Sequence, residues 1–384
     1  MTTARPESST DMLPRLHEAI LAKLAAWKGV RAMVIGDFML DQQVYGAAER
    51  LSPDAPVPVL MAGDPRSIGE TAGGASNVAT CLRALEAHVE CFGVVGGDVE
   101  GESLRRLLRE SGCAIDGLIV DPSRPTTVKR SLIGLAQHRH PQKMFRLDFE
   151  SREPLGRAIM ERLLGAILRA LPNVDVICIE DYNKGVCASQ LCHAVIDAAR
   201  ALHKPVLVDP AAIEDYSRYR GATAITPNRT EAELATGMST PIDASVQHNA
   251  RLAMRLLGDV QLDAVVLTLD KHGAVLVEKP ADKHPDKHIV PVHLPTVART
   301  VYDVTGAGDM VLAALAAAIA NGFPWIEAVA FANAAAGLEV EVFGAQPIPL
   351  PKIRQSILGL AGRASGKVRS LSDLLVELEV HRGA

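Results

Sequence analysis

The chain has 384 residues, 48% hydrophobic and 4% aromatic, enough for one large α/β domain with an appendage or for two modest domains. Against 45 Asp and Glu stand 40 Lys and Arg, a net charge of −5 with no basic block, which argues against nucleic acid as a partner. No apolar run reaches the roughly 18 residues of a membrane span, and charges interrupt the N-terminus where a signal peptide would carry its apolar core, so a cytoplasmic protein without a membrane partner is expected.

Leu13, Leu16, Ile20, Leu24 and Trp27 recur at spacings of three and four, which predicts an amphipathic helix over residues 11–28, docked ahead of the domain proper. Ala32-Met33-Val34-Ile35 reads as a short buried strand ending in Gly36-Asp37, with Asp41 close behind. Open α/β sheets bind ligands beyond the carboxyl ends of their strands, so Asp37 and Asp41 are candidates to hydrogen-bond a polyol, with turn or capping roles as the alternative. Pro53, Pro56 and Pro58 keep residues 43–62 out of a central strand, because each removes a ladder donor. That segment and the β-rich stretch 126–149 are expected to form a lid. Between them, Ala72-Gly73-Gly74-Ala75-Ser76-Asn77 is a glycine turn that opens a helix.

From about residue 155 the pattern alternates helix and apolar strand: helix 155–171, strand 174–179, helix 188–203, strand 205–209, strand 224–226, helices 230–236 and 245–257, strand 264–268, and a last helix at 324–338. Strands spaced by helices in this way predict βαβ units and a mostly parallel sheet covered on both faces. The six cysteines contain no C-x-x-C pair and read as buried thiols of a reducing compartment. The run from Asp282 to His288 reads as a solvated hairpin loop rather than a metal site. Residues 351–384 read as a linker followed by an isolated helix over 373–381.

The most informative stretch is Asp303-Val304-Thr305-Gly306-Ala307-Gly308-Asp309 and the Ala/Leu run behind it. The run is strongly helical, so the glycines and Asp309 sit in the turn that opens a helix. The first N–H groups of a helix have no internal partner and form the positive end of its dipole, which suits an anion. Asp309 in such a turn would repel a resting phosphate, yet it stands where a base must stand to take a proton from an attacking hydroxyl. The plain alternative is a first-turn acid that complements the dipole. Residues Gly362 to Lys367 have the wrong spacing for a P-loop, and Gly93-Val94-Val95-Gly96-Gly97 is not G-x-G-x-x-G, which disfavours other nucleotide folds.

The Asp303–Asp309 run and the Gly73-Gly74-x-x-Asn77 turn resemble the two diagnostic motifs of the ribokinase-like (PfkB) carbohydrate kinases, over roughly residues 30–350. The resemblance implies a ribokinase-like α/β fold with a small β lid and ATP-dependent phosphorylation of a sugar. Asp309 would be the base, and the Gly306, Ala307 and Gly308 amides the anion hole. Gly73, Gly74 and Asn77 would contact the sugar. Asn228-Arg229-Thr230-Glu231 matches the family's N-x-x-E element, so Asn228, Arg229, Thr230 and Glu231 would face nucleotide phosphates, with Glu231 holding Mg²⁺ partly through water. A capping role for Glu231 is the alternative. Thr268, Gly273 and Asn333 match nucleotide-pocket positions. ATP and Mg²⁺ are the implied cofactors, with a monovalent cation as a further candidate.

Four runs resemble one branch of that family, the kinases of D-glycero-β-D-manno-heptose 7-phosphate: Gly36 to Asp41, Arg50 to Val59, Asp181 to Gly185, and Tyr219 to Thr223 leading into Asn228. The resemblance implies phosphorylation at C1 in ADP-heptose and lipopolysaccharide-core precursor synthesis. Asp181 would join the sugar site, and Lys129, Arg146 and Lys184 would bind the distal phosphate. Val57, Val59, Leu132 and Ile133 imply a lid that pairs into a homodimer. Departures are Glu86 where the family has Gly, Ala211 in place of the Lys of Asp-Pro-Lys, and Val342 and Ala345 near the nucleotide. Many relatives carry a nucleotidyltransferase domain after the kinase; the chain ends where one would begin, so ADP transfer is not expected of it. A kinase for fructose phosphate or a ribose-type sugar, and a non-catalytic sensor on the same fold, stay open.

Overall fold

A computed structural model describes residues 9–63, 68–135, 141–241, 244–280, 289–297, 301–342 and 344–362. The predicted loop at 282–288 and the predicted helix at 373–381 lie outside them. The first half of the chain runs α1 (Ser9–Leu24), β1 (Arg31–Gly36), β2 (Phe38–Leu51), β3 (Pro58–Met61), β4 (Ile68–Gly74), α2 (Ala75–Ala84), β5 (His88–Val95), α3 (Val99–Glu110), β6 (Ala114–Val120), β7 (Thr127–Leu135) and β8 (Gln142–Phe149). Next come α4 (Arg157–Ala170), β9 (Val176–Glu180), α5 (Ser189–Ala201), β10 (Val206–Asp209), β11 (Ala224–Ile225), α6 (Arg229–Thr236) and α7 (Val246–Asp259). The last are β12 (Ala264–Thr268), β13 (Ala274–Glu278), β14 (Val292–Leu294), α8 (Ala307–Ala320), α9 (Trp325–Glu339) and α10 (Leu350–Leu360).

The central sheet has the order β14-β13-β12-β11-β10-β9-β1-β5-β6 and is parallel except where β13 runs against both neighbours. Its strands read as near-continuous apolar runs because both faces are covered. Along β1, Ala32 and Val34 enter the core shared with α2, α8 and α9, while Met33 and Ile35 enter the core shared with α4, α5 and α7. Val176 and Cys178 of β9 alternate with Ile177 and Ile179 in the same way. All six cysteines are buried, as expected for free thiols: Cys81, Cys91, Cys113 and Cys178 in the first core, Cys187 and Cys192 in the second.

A second sheet, the lid, has the order β3-β2-β7-β8, with β4 paired to the first half of β2. Two expectations are corrected here. Lid strand β2 starts at Phe38, directly after the core strand β1, so Asp41 lies within a lid strand and not beyond a strand end. Residues 68–74, expected in part to be a turn, form strand β4; Ile68-Gly-Glu-Thr-Ala-Gly-Gly74 has little β-forming character, and backbone pairing from Phe38↔Gly74 to Val44↔Ile68 holds it extended.

The helix ahead of the domain is present as α1 and packs on α9 and α10. Trp27 follows it, its ring 5.8 Å from Phe323 and 5.3 Å from Phe331 and its indole N–H donating to Leu85 O at 3.1 Å. The C-terminal boundary is also corrected. Residues 351–360, placed in the linker segment, belong to α10, whose Ile353 and Ile357 are fully buried at i, i+4 spacing; Pro349 and Pro351 mark its start, and Pro suits a first turn.

Glu86 follows the end of α2 with φ +67°, the left-handed conformation that glycine adopts freely. Its side chain is exposed. Replacing Glu86 with Gly should therefore raise stability by about 0.5–1 kcal/mol, the strain relieved less the added chain entropy. The urea midpoint should rise at constant slope; an unchanged or lower midpoint would mean that the Glu86 side chain contributes contacts that offset its strain.

Candidate active site

The site is built around the start of α8. Gly306 caps the helix at φ +90°, and a Cβ there would stand 2.8 Å from Ala345 Cβ and from Glu339 Oε1, and 2.9 Å from Asn77 Nδ2, so only glycine fits. No side chain caps this helix start, which leaves its N–H groups facing the cleft. Asp309 is 5% exposed. Asn77 Nδ2 donates to its Oδ2 at 2.8 Å and the Tyr182 hydroxyl donates to its Oδ1 at 3.3 Å. Burial pushes the Asp309 carboxyl up to about 6, against the pull of Asn77, Lys129 and Tyr182 toward the ionised form.

Two more acids converge there from the carboxyl ends of core strands, Glu180 on β9 and Asp209 on β10. Oxygens of Glu180, Asp209 and Asp309 lie within 4.8 Å of one another. Burial first, and then the neighbouring acids, pushes both Glu180 and Asp209 well above the usual carboxylate range. Glu180 Oε2 is buried without a partner, while Asp209 Oδ1 accepts from Thr226 Oγ1 at 3.1 Å. An all-oxygen set with an orphaned carboxylate atom suits a hard divalent cation, whose charge would let these acids ionise together.

Two cavities meet at the α8 turn. The larger, about 510 Å³, is lined by Asn228, Arg229, Thr268, Gly273 and Asn333 among others, and reaches Ala307 and Gly308. The smaller, about 350 Å³, lies under the lid and is lined by Asp41, Lys129, Lys143, Arg146 and Thr305 among others. Residues 305–308 therefore form the wall between them. Lys129 sits on β7 opposite Asp41 on β2, its ammonium 4.3 Å from the Tyr182 ring centroid. Asp41 Oδ1 and Asp37 Oδ1 are both buried without partners, which leaves each able to accept a hydrogen bond. The Asp41 carboxylate also lies 2.6 Å from where a Cβ on Gly73 would stand, so glycine there lets the chain pass close to it. Asp37 Oδ2 accepts from the backbone N–H groups of Tyr182 at 2.8 Å and Lys184 at 3.0 Å, which ties the 181–185 loop to the end of β1.

Not every sequence candidate reaches the cleft. Asp181 spends its carboxylate elsewhere: Oδ1 accepts from Asn183 N at 2.7 Å, and Oδ2 from Tyr219 Oη at 2.7 Å and Arg218 at 3.1 Å. The Lys184 ammonium pairs with Glu150 at 2.5 Å and does not line the cation-rich cavity. Left-handed Asn183 and Gly185 turn the loop so that Tyr182, not its neighbours, faces Asp309. Asn228 and Glu231 form a reciprocal capping box at the start of α6, with bonds of 3.0 and 2.8 Å. Gly74, at φ +53°, caps α2, and Thr230 is exposed on the first turn of α6. Asn77, expected at sugar hydroxyls, holds Asp309. Sequence reasoning missed Tyr182, Glu180, Lys143 and Glu339. Tyr182 lies in a run already singled out, and Glu180 ends a strand beside Asp181, a visible signal. Lys143 carried none; its ammonium bonds Asp303 at 3.1 Å and Thr305 Oγ1 at 3.3 Å, joining the lid to the α8 turn.

The chain matches the model of the pfkB family carbohydrate kinases over residues 31–353. It is 38% identical to the Bifunctional protein HldE of Geobacter metallireducens, over 93% of this chain and 69% of that protein. It is 41% identical to the Bifunctional protein HldE of Paramagnetospirillum magneticum, over 85% of this chain and 63% of that protein. Among solved structures, Arabidopsis thaliana ribokinase complexed with ribose and ATP superposes with a TM-score of 0.63 at 21% identity, over 87% of this chain and 99% of that one. The tetrameric inhibited form of phosphofructokinase-2 from Escherichia coli superposes with a TM-score of 0.65 at 17% identity, over 87% of this chain and 100% of that one. The ribokinase-like fold read from the sequence is thus the observed one.

Because Asp309 ionises near pH 6, a rate that needs its carboxylate should rise with pH through that value. Tyr182→Phe removes a bond that favours the ionised form, so the acid limb of log kcat against pH should move upward by up to about one unit, the worth of one charge-assisted hydrogen bond. Coincident acid limbs in the two proteins would detach Tyr182 from Asp309 in solution.

Proposed function

The chain belongs to the pfkB carbohydrate kinase family, and we propose that this ATP-dependent sugar kinase phosphorylates the anomeric hydroxyl of D-glycero-β-D-manno-heptose 7-phosphate to the 1,7-bisphosphate, toward ADP-heptose and lipopolysaccharide-core precursors. The observation that carries the reading is the α8 turn, which separates a large cavity from a smaller one roofed by Lys129, Lys143 and Arg146. The large cavity suits ATP. The smaller suits a sugar that already bears a phosphate at its far end, because Lys129, Lys143 and Arg146 are among the side chains that line it.

In this reading the sugar's C1 hydroxyl approaches the Asp309 carboxylate, which Asn77 and Tyr182 hold in place from its two oxygens, and Asp309 takes the proton as the oxygen attacks the γ-phosphoryl group. The N–H groups of the Gly306–Gly308 turn receive the charge on the transferring group, the Ala307 N–H by leaving its long 3.4 Å bond to Val304 O. Asp37 and Asp41 accept from sugar hydroxyls through the oxygens left unpartnered. Lys129 and Arg146 hold the distal phosphate, and closure of the lid over it excludes water. Glu180 and Asp209 would hold Mg²⁺, with Glu231 acting through water, and the ion would offset charge on the ATP phosphates. Asn228, Arg229, Thr268, Gly273 and Asn333 serve the nucleotide. Among the described residues no helix is long and apolar enough to cross a membrane, and the buried free thiols support a reducing cytoplasm.

One kinetic experiment tests the reading: ADP release with heptose 7-phosphate, sedoheptulose 7-phosphate, fructose 6-phosphate, ribose and unphosphorylated heptose. Heptose 7-phosphate should give the highest kcat/KM, and Asp309→Asn should lower kcat by roughly 10²–10⁴ while nucleotide binding persists. Lys129→Met or Arg146→Met should cost roughly 10- to 100-fold in kcat/KM on heptose 7-phosphate and little on the unphosphorylated sugar. A preference for another sugar overturns the substrate, an equal loss on both heptoses overturns the phosphate site, and an active Asp309→Asn enzyme overturns the base.

The lid supports a homodimer as a further part of the proposal. Ile133 is fully buried within its own subunit and drops out of the argument, but Val57, Leu51, Met61, Leu135, Phe145, Leu147 and Phe149 are exposed, and β8 is an edge strand exposed along its length. Sedimentation at micromolar concentration should give twice the chain mass, and Phe145→Asp should halve it. A fully active monomer would end this part of the proposal.

A further inference from the structure

Glu339, the last residue of α9, is a buried acid that the chemistry above leaves unused. It is 1% exposed, and neither carboxyl oxygen has a hydrogen-bond partner of good geometry. Burying an acid so poorly paired is costly, and α9 around it is mostly apolar and rich in alanine. Its position is specific. Glu339 Oε1 and Asn77 Nδ2 crowd the same point against Gly306, 2.8 and 2.9 Å from where a Cβ there would stand. Asn77 Nδ2 has two protons and gives one to Asp309 Oδ2 at 2.8 Å. The Asn77 amide thus stands between two acids, one at the reacting end of the cleft and one behind the turn.

We propose that Glu339 is a positioning residue for phosphoryl transfer: as the neutral acid it accepts from Asn77 and keeps that amide on Asp309, and as the carboxylate it draws the amide away and places a charge behind the anion-binding turn. The inference rests on the reading of Asp309 as the base. The charged and titratable groups that face Glu339 are Asp309 on α8, Asp303 ahead of it, and the Cys81 thiol on α2; the Gln346 backbone N–H faces it from the segment before α10. Burial, reinforced by Asp309 and Asp303, pushes Glu339 up to about 8, although Asn77 and Gln346 favour the ionised form.

The test is the pH–rate profile, from pH 5.5 to 10, of the wild type, Glu339→Gln and Glu339→Leu. Wild-type kcat should fall about tenfold per unit on the alkaline side of the Glu339 ionisation, as a single titrating group dictates. Glu339→Gln keeps an acceptor for Asn77 without the charge, so it should match the wild type at pH 7 and hold its rate at least one unit further. Glu339→Leu offers no acceptor, so it should be slower at every pH with no added alkaline fall. Thermal unfolding gives a second readout. A carboxyl whose folded pKa is raised contributes stability below its ordinary value and loses it as pH rises through the folded value, so the Tm of Glu339→Gln should gain on the wild type between about pH 5 and 8 and then level off. Superimposable alkaline limbs for wild type and Gln, or a constant Tm gap, overturn the inference. If Asp309→Asn is inactive while Glu339→Gln changes nothing, only this inference fails; an active Asp309→Asn enzyme removes the base on which it rests.

Discussion

The architecture depends on one electrostatic problem: several carboxylates brought together out of water. Glu180 and Asp209 end two neighbouring core strands, and Asp309 opens a helix that points at them. Parallel strands deliver their carboxyl ends to one edge of the sheet, so acids at strand ends converge there without any long-range design. The helix start supplies the compensation. Its first N–H groups and positive dipole end favour negative charge, and Asn77 and Tyr182 add hydrogen bonds to buried Asp309. Acids gathered in this way repel one another, and a bound cation would offset that repulsion and stabilise the folded site.

Two sheets divide the labour around that point. The central sheet fixes the acids to a body whose faces are both buried, and the lid carries the cations. The division is visible in the register: Asp41 on β2 faces Lys129 on β7, so an acid and a cation of the lid are matched across one strand pair. Lys143 then links β8 to Asp303 and Thr305, just ahead of α8. The cavity beneath the lid is thereby framed by groups from both sheets, and its shape follows the position of β8.

Much of this was legible because the signals were local. Alternating apolar strands and helices from residue 155 onward, the glycine turns, and the helix behind Asp309 all follow from periodicity and backbone chemistry. What escaped was set by partners far away in sequence. β4 has a glycine-rich sequence that is extended because β2 lies beside it, and α10 is a short helix of modest periodicity stabilised by α1 and α9. Asp181 and Lys184 have the residue types of a sugar-phosphate site, but Tyr219, Arg218 and Glu150 take them. Tyr182 reaches Asp309 only because two left-handed residues follow in its loop. No rule of composition puts a buried glutamate at the end of an alanine-rich helix, so Glu339 becomes visible only once α9 is set against the α8 turn.

The distribution of thiols has a practical consequence. Each core carries its own cysteines, four on the side of α2, α8 and α9 and two on the side of α4, α5 and α7. None is accessible to a solvent reagent while the sheet stays covered, so alkylation measures the opening of each face separately, as hydrogen exchange does for backbone amides. Cys187 and Cys192 mark the layer that carries the β9–α5 segment, whereas Cys81 sits one helical turn from Asn77 and marks the layer behind the α8 turn. Ligands that tighten the acid cluster would slow labelling of the second set more than the first, turning six inert side chains into an internal clock for local unfolding.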